Sequence, residues 1–168
     1  MDVEQAIRQR VTVRDFKPDP VPKAVIEKIL SAARWAPSQR NRQMWRFIVI
    51  QERAMLERIA ALSGSAGHIA KAPVAIAMVM TEAKGMYQID AGRAVQQMEL
   101  MAWSLGLGMC FVGGFDKDAV KQALGIPAAM ELVTVMDFGY RTDSKAGKKR
   151  LPLSELVSKE TYGNKKWE

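Results

Sequence analysis

Between Trp35 and Trp45 the chain reads Trp-Ala-Pro-Ser-Gln-Arg-Asn-Arg-Gln-Met-Trp. A plain connector uses small polar side chains; this one carries recognition chemistry. The amides of Gln39, Asn41 and Gln43 read hydrogen-bonding edges, the Ser38 hydroxyl donates and accepts, and Arg40, Arg42 and Arg46 take anions. With two indoles alongside, the stretch suits a planar, polar, phosphorylated ligand. A second group stands upstream, in Arg10-Val11-Thr12-Val13-Arg14. Extended backbone puts Arg10, Thr12 and Arg14 on one side and the valines on the other. Two guanidiniums and a hydroxyl on one side can take a phosphate, bidentately through arginine. An edge strand with a polar outer face gives the same pattern.

Gly113-Gly114 directly follows an apolar run, where paired glycines let backbone approach a flat ligand closely or simply make a turn. Other chemistries find little support. Gly64–Gly67 lacks the Gly-Lys-Ser/Thr of a phosphate-binding loop. Gly106-Leu107-Gly108 precedes a strand rather than following one, the wrong context for a dinucleotide-binding turn. One histidine and one cysteine cannot complete a tetrahedral His/Cys metal site. His68, in a Gly/Ser-rich setting, is expected on a surface loop, and Cys110, inside an apolar run, is expected in the core.

The elements that must position these residues follow from periodicity. Helices are expected over Val3–Gln9 (Val3, Ala6 and Ile7 inward), from Pro22 to just before Pro37, over Arg53–Leu62, over Tyr87–Leu105, and after a cap at Asp116. Apolar β-prone runs at Phe47–Ile50, Pro73–Met80, Met109–Val112 and Leu132–Tyr140 read as buried strands, Phe47–Ile50 covered on both faces. Pro18, Pro20 and Pro22 make a stiff connector. Leu153, Leu156 and Val157 suggest a last helical turn. The alternation of helix and strand is an α/β pattern.

At 168 residues, 48% of them apolar, the chain is expected to form one domain over 1–168, with a basic C-terminal extension from about residue 141. No apolar run reaches the roughly 18 residues of a membrane helix. The first residues lack the signature of a signal peptide, so a cytoplasmic protein is expected. The net charge is +7, and two segments carry it. Residues 34–46 hold four arginines and no acid, and residues 139–168 hold eight Lys/Arg against four Asp/Glu. Either a nucleic acid or a small phosphorylated ligand could use such charge.

Taken together, these pieces resemble the nitroreductase family of FMN-dependent oxidoreductases, from Ala6 to about Val157. Arg10–Phe16 is similar to the family's Arg-Arg-Ser-x-Arg-x-Phe element. Ala36-Pro37-Ser38-Gln39-Arg40-Asn41-Arg42-Gln43-Met44-Trp45 is similar to its Ala-Pro-Ser-x-x-Asn-x-Gln-Pro-Trp element. Asp90-Ala91-Gly92 with the helix to Leu105, Gly106–Gly114, and Phe138-Gly139-Tyr140 are similar to its central helix, Gly-Leu-Gly strand and late Gly-Tyr strand. The resemblance implies an α+β fold, with a mixed central sheet flanked by helices, built as an intertwined homodimer with FMN at each subunit interface. It implies that Arg10, Thr12 and Arg14 bind the flavin, the arginines reaching toward its phosphate. Ser38, Asn41 and Gln43 would reach the ribityl chain and ring from the partner subunit, Pro37 counting with them as a cofactor contact. Gly113 and Gly114 would lie along the isoalloxazine. One of Lys148, Lys149 and Arg150, with Arg150 favoured by the following Leu-Pro-Leu, would add a phosphate contact.

Two departures stand out. Val11 replaces an arginine common in the family. Met44 replaces its proline, which predicts a looser loop with a polarizable side chain lining the pocket. A short stretch around Thr81–Gln88 predicts an open substrate site. The implied activity is ping-pong hydride transfer from NADH or NADPH to a nitroaromatic, quinone or similar electron-poor small molecule, the chemistry belonging to the flavin. The alternative is a flavin-binding carrier or electron-transfer protein without NAD(P)H turnover. A nucleic-acid binder ranks lower, since no recognition-helix or ribonucleoprotein motif occurs, and no membrane partner is expected.

Overall fold

The structure is a computed structural model describing residues 1–142 and 149–165. Ten elements follow in order: α1 (Val3–Gln9), α2 (Lys23–Arg34), β1 (Trp45–Ile50), α3 (Arg53–Ala61), β2 (Val74–Met80), α4 (Tyr87–Ser104), β3 (Leu107–Val112), α5 (Lys117–Ala123), β4 (Glu131–Tyr140) and α6 (Leu153–Leu156). Their starts have local causes. Asp2 and Gln5 close a capping box on α1, and Asp116 accepts from the Ala119 amide to open α5, satisfying orphan N–H groups of the first turn. Short 3-10 turns at Gln39–Asn41 and Gly67–Lys71 complete the path.

The four strands form one sheet in the order β1-β2-β4-β3, every neighbouring pair antiparallel. The α/β alternation in sequence suggested crossovers. Instead α3 and the turn after it return the chain to the end where β1 finishes, so β2 runs back beside β1. Among the described residues, parallel pairing enters only through an isolated bridge from Thr12 to Met109, and the sheet's mixed character rests there. The central strands β2 and β4 are buried nearly throughout, as their apolar runs require. Strand β1 is an edge with Val49 exposed, so it is not covered on both faces as its sequence suggested.

Period-two alternation divides β2 between two cores. Val74, Ile76, Met78 and Met80 face α2 and α4, packing with Ile29, Ala94 and Met98. Ala75, Ala77 and Val79 face α3 and α5, packing with Leu56, Ile59 and Val120. The first helix keeps only part of its expected apolar face. Ala6 is buried, but Val3 and Ile7 are exposed, because this short helix meets the body chiefly along α4. No described helix is long and apolar enough to cross a membrane.

The segment between α1 and α2 is seated on the sheet by two glycines. Gly108 of β3 and Gly139 of β4 are register partners. A Cβ on Gly108 would overlap the Val13 side chain, and one on Gly139 would stand 2.8 Å from Phe16 Cβ and from Pro73 Cδ. Val13 and Phe16 therefore occupy the space that side chains would fill. With Ala6, Val11, Ala72 and Trp103 they form a third apolar cluster. Backbone bonds fasten the segment as well: Val13 donates to Met109 O at 3.0 Å and Lys17 to Tyr140 O at 2.9 Å.

Gly108→Ala should lower stability by about 1–3 kcal/mol through overpacking. Gly114→Ala, where nothing lies within 4 Å of the added Cβ, should stay within about 0.5 kcal/mol of wild type. Urea unfolding midpoints of the two variants measure the contrast.

Candidate functional site

The alternation expected of residues 10–14 is present. Val11 and Val13 are buried, Thr12 and Arg14 exposed, and Arg10 half-buried at the C-terminal cap of α1. The strip lies against the free edge of β3, the strand that leads into Gly113 and Gly114, both exposed. Arg10 is held by Glu99 of α4, Nη1 to Oε1 at 3.2 Å, while Gln96 donates to the other Glu99 oxygen at 3.1 Å. The same helix fixes the amide-rich loop one end away. The Gln39 backbone N–H donates to the buried Asp90 Oδ2 at 2.9 Å.

Within that loop the backbone is unusual. Arg40, Asn41 and Gln43 all take positive φ, at 53°, 54° and 50°, a conformation asparagine tolerates and arginine adopts at a cost of roughly 1–2 kcal/mol. Local bonds hold it. Gln43 N donates to Ser38 Oγ at 3.1 Å, Gln43 Nε2 to Asn41 Oδ1 at 3.0 Å, and Arg42 pairs with Glu82 at 3.1 Å. Pro37, Asn41 and Gln43 line an open groove of about 480 Å³ with Arg34, Trp35 and Ala36. Trp35 is 76% exposed, with the Arg34 guanidinium 5.7 Å from its ring centroid. Met44 is 5% exposed and joins the core beneath the loop instead of lining a pocket. Its backbone carbonyl accepts from Thr81 N at 2.9 Å, which turns the side chain inward as β1 begins.

Among the described residues no hydrogen bond or ion pair joins the loop to the Arg10–Arg14 strip. Their anchors on α4, Asp90 and Glu99, are nine residues apart, about 13 Å along the axis. Arg150 is exposed, its guanidinium donating to Lys149 O at 3.3 Å. Lys148 lies outside the described residues.

One assembly was not foreseen. His68 is not a surface loop residue. The Gly67–Lys71 turn packs on α3 with Ile69 fully buried, and this presses the imidazole onto the sheet, its side chain 11% exposed. His68 Nδ1 stands 2.6 Å from Asp137 Oδ2, and Nε2 stands 3.8 Å from Cys110 Sγ. Cys110 and Asp137 are register partners on β3 and β4. Burial raises the Asp137 carboxyl above its ordinary value, against the lowering effect of the His68 hydrogen bond. Burial, then the neighbouring Asp137, raises the Cys110 thiol, with Arg14 opposing the shift. A protonated, buried thiol is a poor nucleophile, so the trio is no hydrolytic triad in this form. The sequence did hold a signal for it: Asp137 interrupts the apolar run Val135-Met136-Asp137-Phe138 inside a buried strand, and a carboxylate there demands a partner. Glu99, between Met98 and Leu100 on α4, is a second such case.

The arrangement is thus an α+β protein with a cationic strip on a sheet edge and an amide-rich loop braced on the same central helix. Residues 7–86 and 64–140 match the model of the nitroreductase family, and the chain belongs to that family. It is 32% identical to a protein of Methanothermobacter thermautotrophicus, covering 86% of this chain and 80% of the other; that protein is provisionally named an NADH dehydrogenase/NAD(P)H nitroreductase. It is 25% identical to the FMN reductase [NAD(P)H] of Bacillus subtilis, over 97% of this chain and 75% of that one. The solved structure of an FMN-dependent nitroreductase from Clostridium difficile shares the fold, with a TM-score of 0.87 at 24% identity, covering 95% of this chain and 99% of the other.

The raised Asp137 carboxyl has a consequence for stability. The native state holds this proton more tightly than the unfolded chain, so the group's contribution is full below the unfolded value of about 3.9 and is lost as pH rises through the higher native value. The urea midpoint of wild type, measured relative to Asp137→Asn, should therefore fall as pH is raised from about 4.

Proposed function

We propose that this protein is an FMN-dependent oxidoreductase that uses NADH or NADPH to reduce small electron-poor acceptors such as nitroaromatics and quinones. The observation that carries the reading is the outward face of Arg10, Thr12 and Arg14 at the β3 edge, beside exposed Gly113 and Gly114. The residues fit FMN. Two guanidiniums and a hydroxyl suit a phosphate. Gly114 has nothing within 4 Å of a built Cβ and Gly113 only a Phe111 ring carbon at 3.5 Å, so backbone there is open to a flat ring. The names of the relatives, an FMN reductase and an FMN-dependent nitroreductase, support the same cofactor.

A homodimer completes the site in this reading. The amide loop sits at the far end of α4 from the cationic strip, and the loop of a second subunit would supply Pro37, Ser38, Asn41 and Gln43 to the first. The exposed apolar residues Val3, Ile7 and Trp35, bordering or near a groove between α1, α2 and α4, give such a partner a surface to cover.

When bound, FMN supplies the hydride chemistry, in two half-reactions with the nicotinamide and the acceptor. The protein's part is positioning. Arg14, exposed at the β3 edge, would bring its guanidinium to the phosphate, and Arg10 would share its own between Glu99 and the incoming anion. Ser38 Oγ accepts from Gln43 N, which leaves its hydroxyl proton free to donate. Gln43 and Asn41, locked to each other, present amide edges in fixed orientation. Arg150 adds a further phosphate contact. No side-chain acid or base is assigned.

The purified protein should be yellow and should bleach on anaerobic mixing with NADH or NADPH; a yellow protein that neither donor bleaches is a flavin carrier instead. Each charge-assisted contact contributes about 1.5–3 kcal/mol, so Arg10→Ala or Arg14→Ala should weaken FMN binding roughly tenfold to a hundredfold. The double variant should emerge colourless from gel filtration, and a fully yellow double variant would overturn the assignment.

A further inference from the structure

The flavin reading leaves the cluster of His68, Cys110 and Asp137 without a task. One potential ligand atom from each lies within 4.8 Å of those of the other two. Among the described residues no other three histidine, cysteine or acidic side chains gather in this way. They arrive from separate parts of the chain. Cys110 and Asp137 are register partners on β3 and β4, so their side chains leave one face of the sheet side by side. His68 is laid over them by the Gly67–Lys71 turn.

Hydrogen bonding does not account for the whole cluster. The imidazole satisfies one Asp137 oxygen, Nδ1 standing 2.6 Å from Oδ2, and its Nε2 faces the Cys110 sulfur at 3.8 Å. The other carboxylate oxygen, Oδ1, is buried with no hydrogen-bond partner. A bare carboxylate oxygen in the core is costly and calls for a positive partner. Beside it stand a sulfur and an imidazole, the donors that borderline divalent ions such as zinc prefer; calcium and magnesium ask for oxygen throughout.

The dimensions suit such an ion. Bonds of about 2.0–2.3 Å from zinc to nitrogen, oxygen and sulfur set tetrahedral ligands roughly 3.3–3.6 Å apart, so the set closes by movements of about 1 Å. The sheet fixes two of the ligands. The imidazole, carried on a short turn, makes the adjustment by presenting one nitrogen to the ion instead of dividing two between its neighbours. A thiolate, a carboxylate and a neutral imidazole around a divalent cation sum to zero charge, as burial demands. Beyond the trio, Arg14 and Glu99 act on Cys110 in opposite directions. Histidine and cysteine alone could not fill a tetrahedron here; Asp137 supplies the third ligand and water the fourth. His68, the partly exposed member, is the ligand an entering ion meets first.

We propose that His68, Cys110 and Asp137 are the protein ligands of a zinc-class divalent ion that ties β3, β4 and the turn after α3 together. The assignment needs no bound FMN and does not depend on the function proposed above.

The test is zinc binding by the whole protein. After equilibration with zinc and dialysis, wild type should retain about one ion per chain. X-ray absorption at the zinc edge should show one sulfur at about 2.3 Å among nitrogen and oxygen neighbours at about 2.0–2.2 Å. Cys110 is the chain's one cysteine, so it alone can supply a thiolate. Loss of even an outer-shell partner weakens metal sites about 10–100-fold, so Cys110→Ser and Asp137→Asn should each weaken zinc binding about a hundredfold or more. Urea unfolding with zinc and with chelator makes each variant its own control for folding. Zinc should raise the wild-type midpoint and leave that of Cys110→Ser where the chelator puts it. No retained zinc, a zinc shell without sulfur, or equal retention by wild type and Cys110→Ser overturns the proposal. If Cys110→Ser does not fold, the wild-type absorption spectrum decides.

Discussion

Side-chain volume at one register pair governs where the chemistry of this molecule sits. Gly108 and Gly139 leave a trough across β3 and β4, and Val13 and Phe16 fill it. Hydrophobic packing thereby does what the sequence between α1 and α2, with its charges and prolines, cannot do for itself. It holds an irregular segment to a sheet edge with its polar residues outward. Arg10 and Arg14 have long side chains with several free torsions, and their usefulness depends on how firmly their backbone is fixed. The valines and the phenylalanine supply that firmness while the arginines remain at the surface.

Helix α4 is the second constraint. It meets the sheet through small residues, Ala91, Ala94 and Ala102, and is buried deeply enough that Asp90 and Glu99 are held in nearly dry surroundings. In such a place each carboxylate must find a donor. Asp90 takes the Gln39 backbone N–H and Glu99 takes Arg10. The loop and the cationic strip are thus located by the same physical demand at two points of one rigid rod. Their separation explains why neither alone encloses a ligand, and it accounts for the shallow groove at the loop.

Much of this was legible in the residues. Helix and strand positions followed from apolar periodicity and caps, because each element buries one well-marked face. The polar face of residues 10–14 followed from strict alternation with valines. What stayed hidden depended on contacts distant in sequence. The direction of the strands could not be read from helix–strand alternation, since a connecting helix can return the chain to either end of a sheet. Val3 and Ile7 looked like a core face because periodicity reports a stripe, not what covers it. His68 looked exposed because glycine and serine surround it. Its burial comes from Ile69 and the packing of a short turn on α3, and its partner, Asp137, is 69 residues away. Met44 looked like part of a recognition loop, yet it is the residue at which that loop enters the core.

The placement of Cys110 has a further use. It is the chain's one sulfur nucleophile, set beneath the N-terminal segment at the edge strand and almost wholly shielded. A thiol reagent can reach it only when β3 or its covering segment comes away. The rate of labelling under native conditions is therefore a clock for the opening of that edge, separate from unfolding of the whole chain. The natural sequence thus carries a single-site probe of breathing motions at the margin where the cationic strip is laid down.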